Sequence, residues 1–410
     1  MVHILASHLR SELLACPQLV RFDMVQGMDG PEATLLIKAS SLGLKYLLRR
    51  EKFRLILTLI GARIAYAIEI PDDHERPGTI WSFLDLPAEK AALLALTKSP
   101  RCAVFLFNEL AVNVAWAEVN LAVEQSFVVA ISDASSDPLP DENVRITERL
   151  EEISTNASVT NTQITVVAEV VWCEIRSSYV TQRGGGSHLS LFAENEGEQQ
   201  EELAVWLVDQ LHFPGCVRSP QVHEKRVREL TDVLLSYENG SFLVESKSLS
   251  VLARADLPGR AKLERDLIKH VGKAARQLAG GIRNLKNGLR VTDAAGIDVI
   301  IEREIPAHAI ILVPDLSLLH SAIEFGREFV LKFANDTGGY LHILDPAELL
   351  RVVQVADIVS RQSNTVTPMM GFDWYLIERA KKALEHETPD FAVLFRLLKE
   401  SESRDGILTE

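Results

Sequence analysis

Cysteine is scarce in this chain: there are 4 in 410 residues, at positions 16, 102, 173 and 216. They lie far apart, and no Cys or His stands beside another at the spacing of zinc ligands. This scarcity argues against both a disulfide framework and a structural zinc site. We therefore expect reduced thiols in a cytoplasmic protein.

Long apolar runs are also missing. The most apolar stretch, residues 55–62, is flanked by Arg54 and Arg63 and is far shorter than the roughly 20 residues of a membrane span. Residues 1–10 have no basic leader before their short apolar run, and Glu12 follows closely. This segment is therefore predicted to be an amphipathic helix and not a signal peptide. No membrane partner is expected.

The sequence contains no glycine-rich loop of the kind that binds nucleotide phosphates. It therefore does not indicate a small-molecule α/β enzyme with a nucleotide cofactor. The composition is globular, with 47% of residues hydrophobic and 24% charged. A chain of this length and composition is expected to bury a sizeable core in two or three domains.

The net charge of −14 argues against a wholly basic, histone-like surface, but the distribution of charge matters more than its sum. Residues 254–290 contain ten Lys or Arg against three acidic residues. One basic surface is therefore predicted within an acidic protein.

Strand and helix patterns alternate through residues 1–190, which predicts a separate N-terminal α/β domain. Residues 132–145 are predicted to be a loop within it, because they are rich in Ser, Asp and Pro. The end of this domain is placed at the glycine run 183–187 and the acidic segment 194–200. The residues of this domain resemble no family, and its expected role is to select a target, regulate access or bind a protein partner.

The remaining sequence is predicted to form two further parts. Residues 197–350 have the order α, β, β, β, α, β, α, β, which predicts a mixed sheet flanked by helices, with one of the helices at 316–333. Residues 351–410 are predicted to be a helical C-terminal extension. The overall fold class is therefore α/β (α+β).

A predicted hairpin at 230–248 contains the candidate catalytic residues. If Asn239-Gly240 forms the two-residue turn that this dipeptide favours, Asp232 faces Lys247 and Leu234 faces Glu245. Because side chains alternate along a strand, Asp232, Glu245 and Lys247 then share one face. Ser246 points to the other face.

Two adjacent carboxylates repel each other, and a divalent cation removes that repulsion. Oxygen ligands with room for water suit Mg²⁺ or Mn²⁺ and not zinc. Such an ion can polarise a phosphoryl oxygen and lower the pKa of bound water, while Lys247 can orient that water. The alternative is a cross-strand salt bridge between Asp232 and Lys247, with Glu245 at the rim.

The spacing from Asp232 to Glu245-Ser246-Lys247 resembles the signature of the PD-(D/E)XK nuclease superfamily, with Thr231 where the name has proline. The similarity is greatest to Mrr-like restriction endonucleases and Holliday-junction resolvases, and it covers about residues 197–345. The resemblance implies a restriction-endonuclease-like fold and Mg²⁺- or Mn²⁺-dependent hydrolysis of phosphodiester bonds, with DNA favoured over RNA. A role in restriction or defence against foreign DNA would follow.

The resemblance also implies roles for single residues. Asp232, Glu245 and the Ser246 carbonyl would bind metal, and Lys247 would position the nucleophilic water. The family's upstream metal-binding glutamate would be Glu201 or its neighbour Glu202, although either residue can equally be a favourable charge at a helix N-terminus. Two residues of the helix that follows the hairpin would assist catalysis: Gln277 and, one turn earlier, Lys273.

The basic helix at about 260–286 is the predicted nucleic-acid surface, and its candidate contacts are Lys262, Lys269, Lys273, Arg276 and Arg283. A solvated helix face explains the same charges. Two functions therefore remain open: a nuclease, and a catalytically inactive nuclease fold that binds nucleic acid or assembles with partners. Cleavage of both strands of a duplex usually requires two sites, which makes a homodimer a further expectation.

Overall fold

The computed structural model describes residues 7–27, 30–155, 163–181, 186–211, 215–320, 322–362 and 365–386. Its α-helices are α1 Ser7–Ala15, α2 Ser41–Leu48, α3 Pro87–Leu96, α4 Val128–Asp133, α5 Glu142–Thr155, α6 Glu196–Asp209, α7 Arg260–Lys286, α8 Arg327–Thr337, α9 Pro346–Arg361 and α10 Pro368–His386. Short 3₁₀ turns span Gln125–Phe127, Leu316–Leu319 and Ile323–Phe325.

The strands before residue 190 are β1 Leu19–Gln26, β2 Pro31–Lys38, β3 Lys52–Ile60, β4 Arg63–Ile70, β5 Gly78–Phe83, β6 Arg101–Phe107, β7 Asn113–Asn120, β8 Gln163–Glu169, β9 Cys173–Glu174, β10 Ser177–Val180 and β11 Gly186–Leu189. The later strands are β12 Val217–Arg218, β13 Gln221–His223, β14 Val227–Glu229, β15 Val233–Tyr237, β16 Gly240–Ser246, β17 Val291–Thr292, β18 His308–Leu312 and β19 Tyr340–Leu344. The chain is thus mixed α/β, as predicted.

Five sheets are formed by the described residues. Those of the first half have the orders β1-β2-β6-β7-β9, β5-β4-β3-β8 and β10-β11. In the second half, β12-β15-β16-β18-β19 form a mixed sheet, and β14-β13-β17 form a small antiparallel one. Each of these described sheets takes its strands from one side of residue 190 only.

The mixed sheet of the second half positions the candidate site. Strands β12, β15 and β16 are successively antiparallel, and β18 and β19 then run parallel to β16. Its central strands are buried on both faces, which explains their continuous apolar sequence. Helix α7 makes the crossover from β16 to β18 and packs on the sheet with Leu267, Val271, Ala274 and Leu278.

The two halves pack against each other. A continuous buried cluster contains side chains from both, including Leu35 and Leu57 of the first half and Leu203 and Leu344 of the second. Ion pairs cross the same junction: Arg260, the first residue of α7, contacts Asp72 at 2.7 Å. Lys45 of α2 contacts Glu196 of α6, also at 2.7 Å.

Two predicted elements were wrong in detail. The predicted loop at 132–145 contains the end of α4 and the first turn of α5, because Ile146, Leu150 and Ile153 of α5 form an apolar face on a second core cluster. The predicted helix at 316–333 is two 3₁₀ turns followed by α8, which begins only after Gly326.

Other predictions were confirmed where the structure describes them. Helix α7 has the predicted bounds, and α9 and α10 form the C-terminal helices. Residues 387–410 of the predicted extension, residues 1–6 of the first helix and most of the glycine run at 183–187 lie outside the described residues. In the described ranges no helix is long and apolar enough to cross a membrane.

Candidate active site

The hairpin forms, but its predicted register was wrong. Tyr237 pairs with Gly240, so Glu238 and Asn239 are the turn residues and Leu234 lies opposite Leu243. The predicted pairs Asp232–Lys247 and Leu234–Glu245 are each displaced by two positions. Since this displacement is an even number of residues, the alternation of faces is unchanged.

Serine hydroxyls account for the observed register. Ser236 and Ser241 lie directly opposite each other, and their hydroxyl oxygens are 2.8 Å apart. The Ser241 hydroxyl also donates to the carbonyl of Glu302. A type I′ turn at Asn239-Gly240 would need positive φ at both residues, and neither has it.

Asp232 and Glu245 meet where the two strands end. The backbone N–H of Ser246 donates a 2.6 Å hydrogen bond to Oδ2 of Asp232, and the Thr231 hydroxyl donates to the Val244 carbonyl. Glu245 is buried, with 4% of its surface exposed. The hydrogen bond from Ser246 therefore joins the carboxylate just before β15 to the backbone at the end of β16.

Lys247 pairs with Glu245, not with Asp232. Its Nζ lies 2.6 Å from Oε1 of Glu245, and its backbone N–H donates to the Leu312 carbonyl on β18. The alternative of a cross-strand Asp232–Lys247 bridge is therefore absent from the ion pairs of the described residues.

The carboxylates influence one another electrostatically. Burial, and next the charge of Glu245, raise the pKa of Asp232 to about 7, against the opposing effects of the Ser246 N–H and Lys247. Burial and then Glu229 raise the pKa of Glu201, while Arg218 and Lys247 lower it. Glu201 thus shares one electrostatic neighbourhood with Asp232, Glu245 and Lys247.

Helix α6 brings two further residues to this edge of the sheet. Glu202 forms an ion pair with Arg218 at 3.5 Å, so it is engaged away from the two central carboxylates. Gln200, which sequence reasoning missed, is buried and donates a 3.0 Å hydrogen bond to the Leu312 carbonyl, the acceptor that Lys247 also uses. A glutamine in the apolar stripe of α6, in line with Leu203 and Leu207, was the signal for it.

The predicted assisting residues of α7 have no hydrogen bond to the described residues of the site. Gln277 and Lys273 are both exposed, and no hydrogen bond joins either of them to the described residues of the site. His270, one turn earlier than Lys273, instead contacts the Ser248 carbonyl at 3.2 Å. The structure therefore links Asp232 to Ser246 and Glu245 to Lys247 by direct contacts and places Glu201 within electrostatic range, but gives Gln277 and Lys273 no direct link to them.

The exposed face of α7 is basic, as its sequence predicts. At 100° of rotation per residue, the five predicted contact residues are exposed on the side of the helix turned away from its buried face. We call them the α7 stripe, and they are Lys262, Lys269, Lys273, Arg276 and Arg283. Among the described residues none of them forms an ion pair, so their charges are available to solvent or to a polyanion.

The donor atoms present suit a hard divalent cation. The hydrogen bonds and ion pairs of the described residues use one oxygen of Asp232 and one of Glu245, which leaves Oδ1 and Oε2 for another ligand. In the described ranges no group of three or more His, Cys, Asp or Glu side chains could hold a metal ion. Mg²⁺ typically binds through one or two carboxylates and keeps several waters, so two carboxylates and a backbone carbonyl fit it.

Comparison with known proteins gives no relatives. No protein-family model matches the chain, and no curated protein or solved structure is significantly similar to it. The resemblance to the nuclease superfamily therefore stays a prediction.

Proposed function

We propose that this protein is a metal-dependent nuclease that hydrolyses phosphodiester bonds, with DNA as its expected substrate. One observation carries the proposal: Asp232 and Glu245, predicted from sequence as metal ligands, lie close enough for the charge of Glu245 to raise the pKa of Asp232. A buried pair of like charges costs free energy unless a cation or proton neutralises it. Such pairs occur preferentially at functional sites.

The charge around the pair favours a divalent cation over a protein-only explanation. Glu201 and Glu229 add two further carboxylates, and the positive charges of Arg218 and Lys247 oppose them by lowering the pKa of Glu201. When bound by Asp232, Glu245 and the Ser246 carbonyl, Mg²⁺ would polarise a phosphoryl oxygen and acidify bound water.

Lys247 has the contacts expected of a residue that handles this water. Its backbone is held by Leu312 on β18, and its ammonium group rests on Glu245 at 2.6 Å. Once the charge of Glu245 is shared with a cation, the ammonium group is free to orient the nucleophile or to stabilise negative charge on the phosphorane. Glu201 would hold a further water through its carboxylate.

The α7 stripe supports a polyanionic substrate. Its first and last members are twenty-one residues apart, which corresponds to about 30 Å of helix. A row of Lys and Arg of this length is complementary in charge to the phosphates of a nucleic-acid backbone. We assign Lys262, Lys269, Lys273, Arg276 and Arg283 to phosphate contacts.

The strand arrangement supports a restriction-endonuclease-like domain at 197–350. Three antiparallel strands, β12, β15 and β16, are followed by the crossover helix α7 and the parallel strand β18. In this proposal residues 1–190 form a domain that selects the target or regulates access, and residues 351–410 form an extension. The ion pair between Arg260 and Asp72 is a direct contact between the first half and α7.

A cleavage assay tests the proposal. Purified protein with Mg²⁺ should cut one or more of single-stranded DNA, duplex DNA, branched DNA and RNA, and Lys247→Ala should lose about a hundredfold or more in rate. Lys332→Ala, which removes an exposed lysine of α8, is the matched control and should cut at the wild-type rate. Undiminished cutting by Lys247→Ala would contradict the assignment of Lys247.

Metal binding can be measured without catalysis. Mg²⁺ should raise the melting temperature of the wild-type protein, since a ligand present at a hundred times its Kd stabilises by about 2.7 kcal/mol. Asp232→Ala and Glu245→Ala should each abolish that shift.

The alternative is a catalytically inactive nuclease fold that binds nucleic acid or partners. The observation that favours it is the Lys247–Glu245 ion pair, which already neutralises one of the two carboxylates. This function predicts nucleic-acid binding that EDTA and Asp232→Ala leave intact, together with no cleavage under any metal condition.

A further inference from the structure

A short β-ribbon leads directly into the candidate site. Strands β13 and β14 pair antiparallel, with Val222 opposite Arg228, and the tip between them is Glu224, Lys225 and Arg226. We call residues 221–229 the basic ribbon. All three tip residues are exposed, whereas Val222 at the base is fully buried. The ribbon is therefore anchored at its base and projects its tip into solvent.

The tip carries cations without protein partners. Arg228 forms an ion pair with Glu224 at 2.7 Å, so those two charges cancel. Lys225 and Arg226 are exposed, and neither forms a hydrogen bond or ion pair with the residues that the structure describes. The tip of the ribbon thus presents two adjacent positive charges.

The base of the ribbon belongs to the neighbourhood of the carboxylates. Glu229, the last residue of β14, is the largest electrostatic influence on Glu201 after burial. Asp232 follows three residues later, and the seven residue-to-residue steps from Lys225 to Asp232 span at most about 25 Å when extended. The tip charges therefore lie within one short chain length of the proposed metal ligands.

The ribbon also adjoins the C-terminal end of α7. Strand β17 follows α7 closely and pairs with β13 on the side away from β14, and the His223 N–H donates to the Arg290 carbonyl. Arg283, the last member of the α7 stripe, lies one turn before the end of this helix. The ribbon therefore extends the basic surface beyond the helix.

We propose that the basic ribbon is a second nucleic-acid contact, in which Lys225 and Arg226 bind backbone phosphates of a duplex while the carboxylates act on it. This rests on the proposed function. The major groove of DNA admits a two-stranded ribbon, and adjacent Lys and Arg at its tip complement the flanking phosphates. The competing explanation is that β14, as an edge strand, carries charge only to prevent pairing with other chains.

Binding to a labelled DNA duplex in EDTA, measured by fluorescence anisotropy across a salt series, separates the two explanations. The double variant Lys225→Ser/Arg226→Ser should bind about tenfold more weakly near 100 mM salt, with a log–log salt slope less negative by about two. The matched control is Lys381→Ser/Lys382→Ser, which removes two adjacent exposed lysines of α10 and changes net charge equally. It should bind as the wild type does.

Equal binding by the ribbon variant and the control would overturn the proposal, as would a wild-type protein that binds no duplex. An unchanged melting temperature for the ribbon variant excludes misfolding as the cause of weaker binding. The result is separable from the proposed nuclease activity. If the wild type never cleaves but the ribbon variant binds more weakly, the ribbon contact is supported and the nuclease proposal is contradicted. If the wild type cleaves and the ribbon variant binds as the wild type does, the nuclease proposal is supported and the ribbon contact is contradicted.

Discussion

The backbone N–H of Ser246 donates a 2.6 Å hydrogen bond to Oδ2 of Asp232, fourteen positions earlier in the chain. This bond joins the end of β16 to the residue that precedes β15, next to the buried carboxylate of Glu245. Asp232 is therefore held in place by the backbone whether or not it is ionised. The negative charge of Glu245, however, opposes the ionisation of Asp232.

We expect Asp232→Asn to stabilise the protein in neutral and basic solution. The pKa of Asp232 is raised to about 7 by burial and then by Glu245, whereas an unfolded chain has an ordinary aspartate near pKa 3.9. The stabilisation from the protonated carboxyl is therefore complete below about pH 4 and is lost as the pH rises to about 7. An asparagine stays neutral and can still accept from Ser246.

Chemical denaturation in EDTA between pH 4 and 8 measures this effect. The variant should exceed the wild type by about 2 to 4 kcal/mol at pH 8, and the difference should vanish near pH 4. Asp298→Asn, at a residue with 69% of its side chain exposed, is the control and should change stability little at any pH. A variant less stable than the wild type at pH 8 would show that Asp232 is not held near a second negative charge.

Two adjacent glycines in α7 should respond oppositely to alanine. A Cβ on Gly281 would lie 2.9 Å from Cδ2 of Leu243, inside the sheet's core, so Gly281→Ala should destabilise by about 1 to 3 kcal/mol. A Cβ on Gly280 meets nothing within 4 Å, so Gly280→Ala should stabilise by about 0.5 to 1 kcal/mol through helix propensity.

Urea denaturation of the two single variants is a matched test of how α7 packs on β16. The substitutions are chemically identical and one position apart, so helix propensity alone predicts equal effects. Equal stabilisation by both alanines would contradict the close approach of Gly281 to Leu243.

The ion pair between Arg260 and Asp72 should stabilise the junction between the two halves. Arg260 donates three hydrogen bonds to the Asp72 carboxylate, at 3.0, 2.9 and 2.7 Å. Because about a third of the Arg260 side chain is exposed, solvent screens the pair. A double-mutant cycle with Arg260→Ala and Asp72→Ala should give a coupling of about 0.5 to 1 kcal/mol that decreases with salt.

The exposed pair Lys332–Asp336, within α8, is the comparison for this cycle and should couple by less than about 0.5 kcal/mol. A coupling free energy of zero between positions 260 and 72 would mean that this ion pair does not stabilise the junction in solution.

Local periodicity was sufficient for the long elements. The nine buried positions of α7 recur at helical spacing, and its 27 residues were predicted with their observed bounds. The apolar runs of β16, β18 and β19 likewise indicated buried strands. Short elements with weak patterns, such as the strands of the basic ribbon, were not predicted, because packing against other elements stabilises them.

The register of the hairpin shows where local rules stopped being sufficient. The Asn-Gly dipeptide favoured one turn, but the contact between Ser236 and Ser241 and the bond from Ser241 to Glu302 favour another. Glu302 is 61 positions away, so no local pattern contains that information.

The sequence by itself determined which residue types stand at the candidate site. The prediction that Asp232, Glu245 and Lys247 share a face is the same in either register, since side chains repeat every two residues along a strand. It also determined the basic character of α7. Only the tertiary structure decided that Lys247 pairs with Glu245, that Gln200 enters the site and that Gln277 stays in solvent. Those outcomes depend on distances between elements far apart in sequence, which hydrophobic packing of α6 and α7 on the sheet sets and local periodicity does not contain.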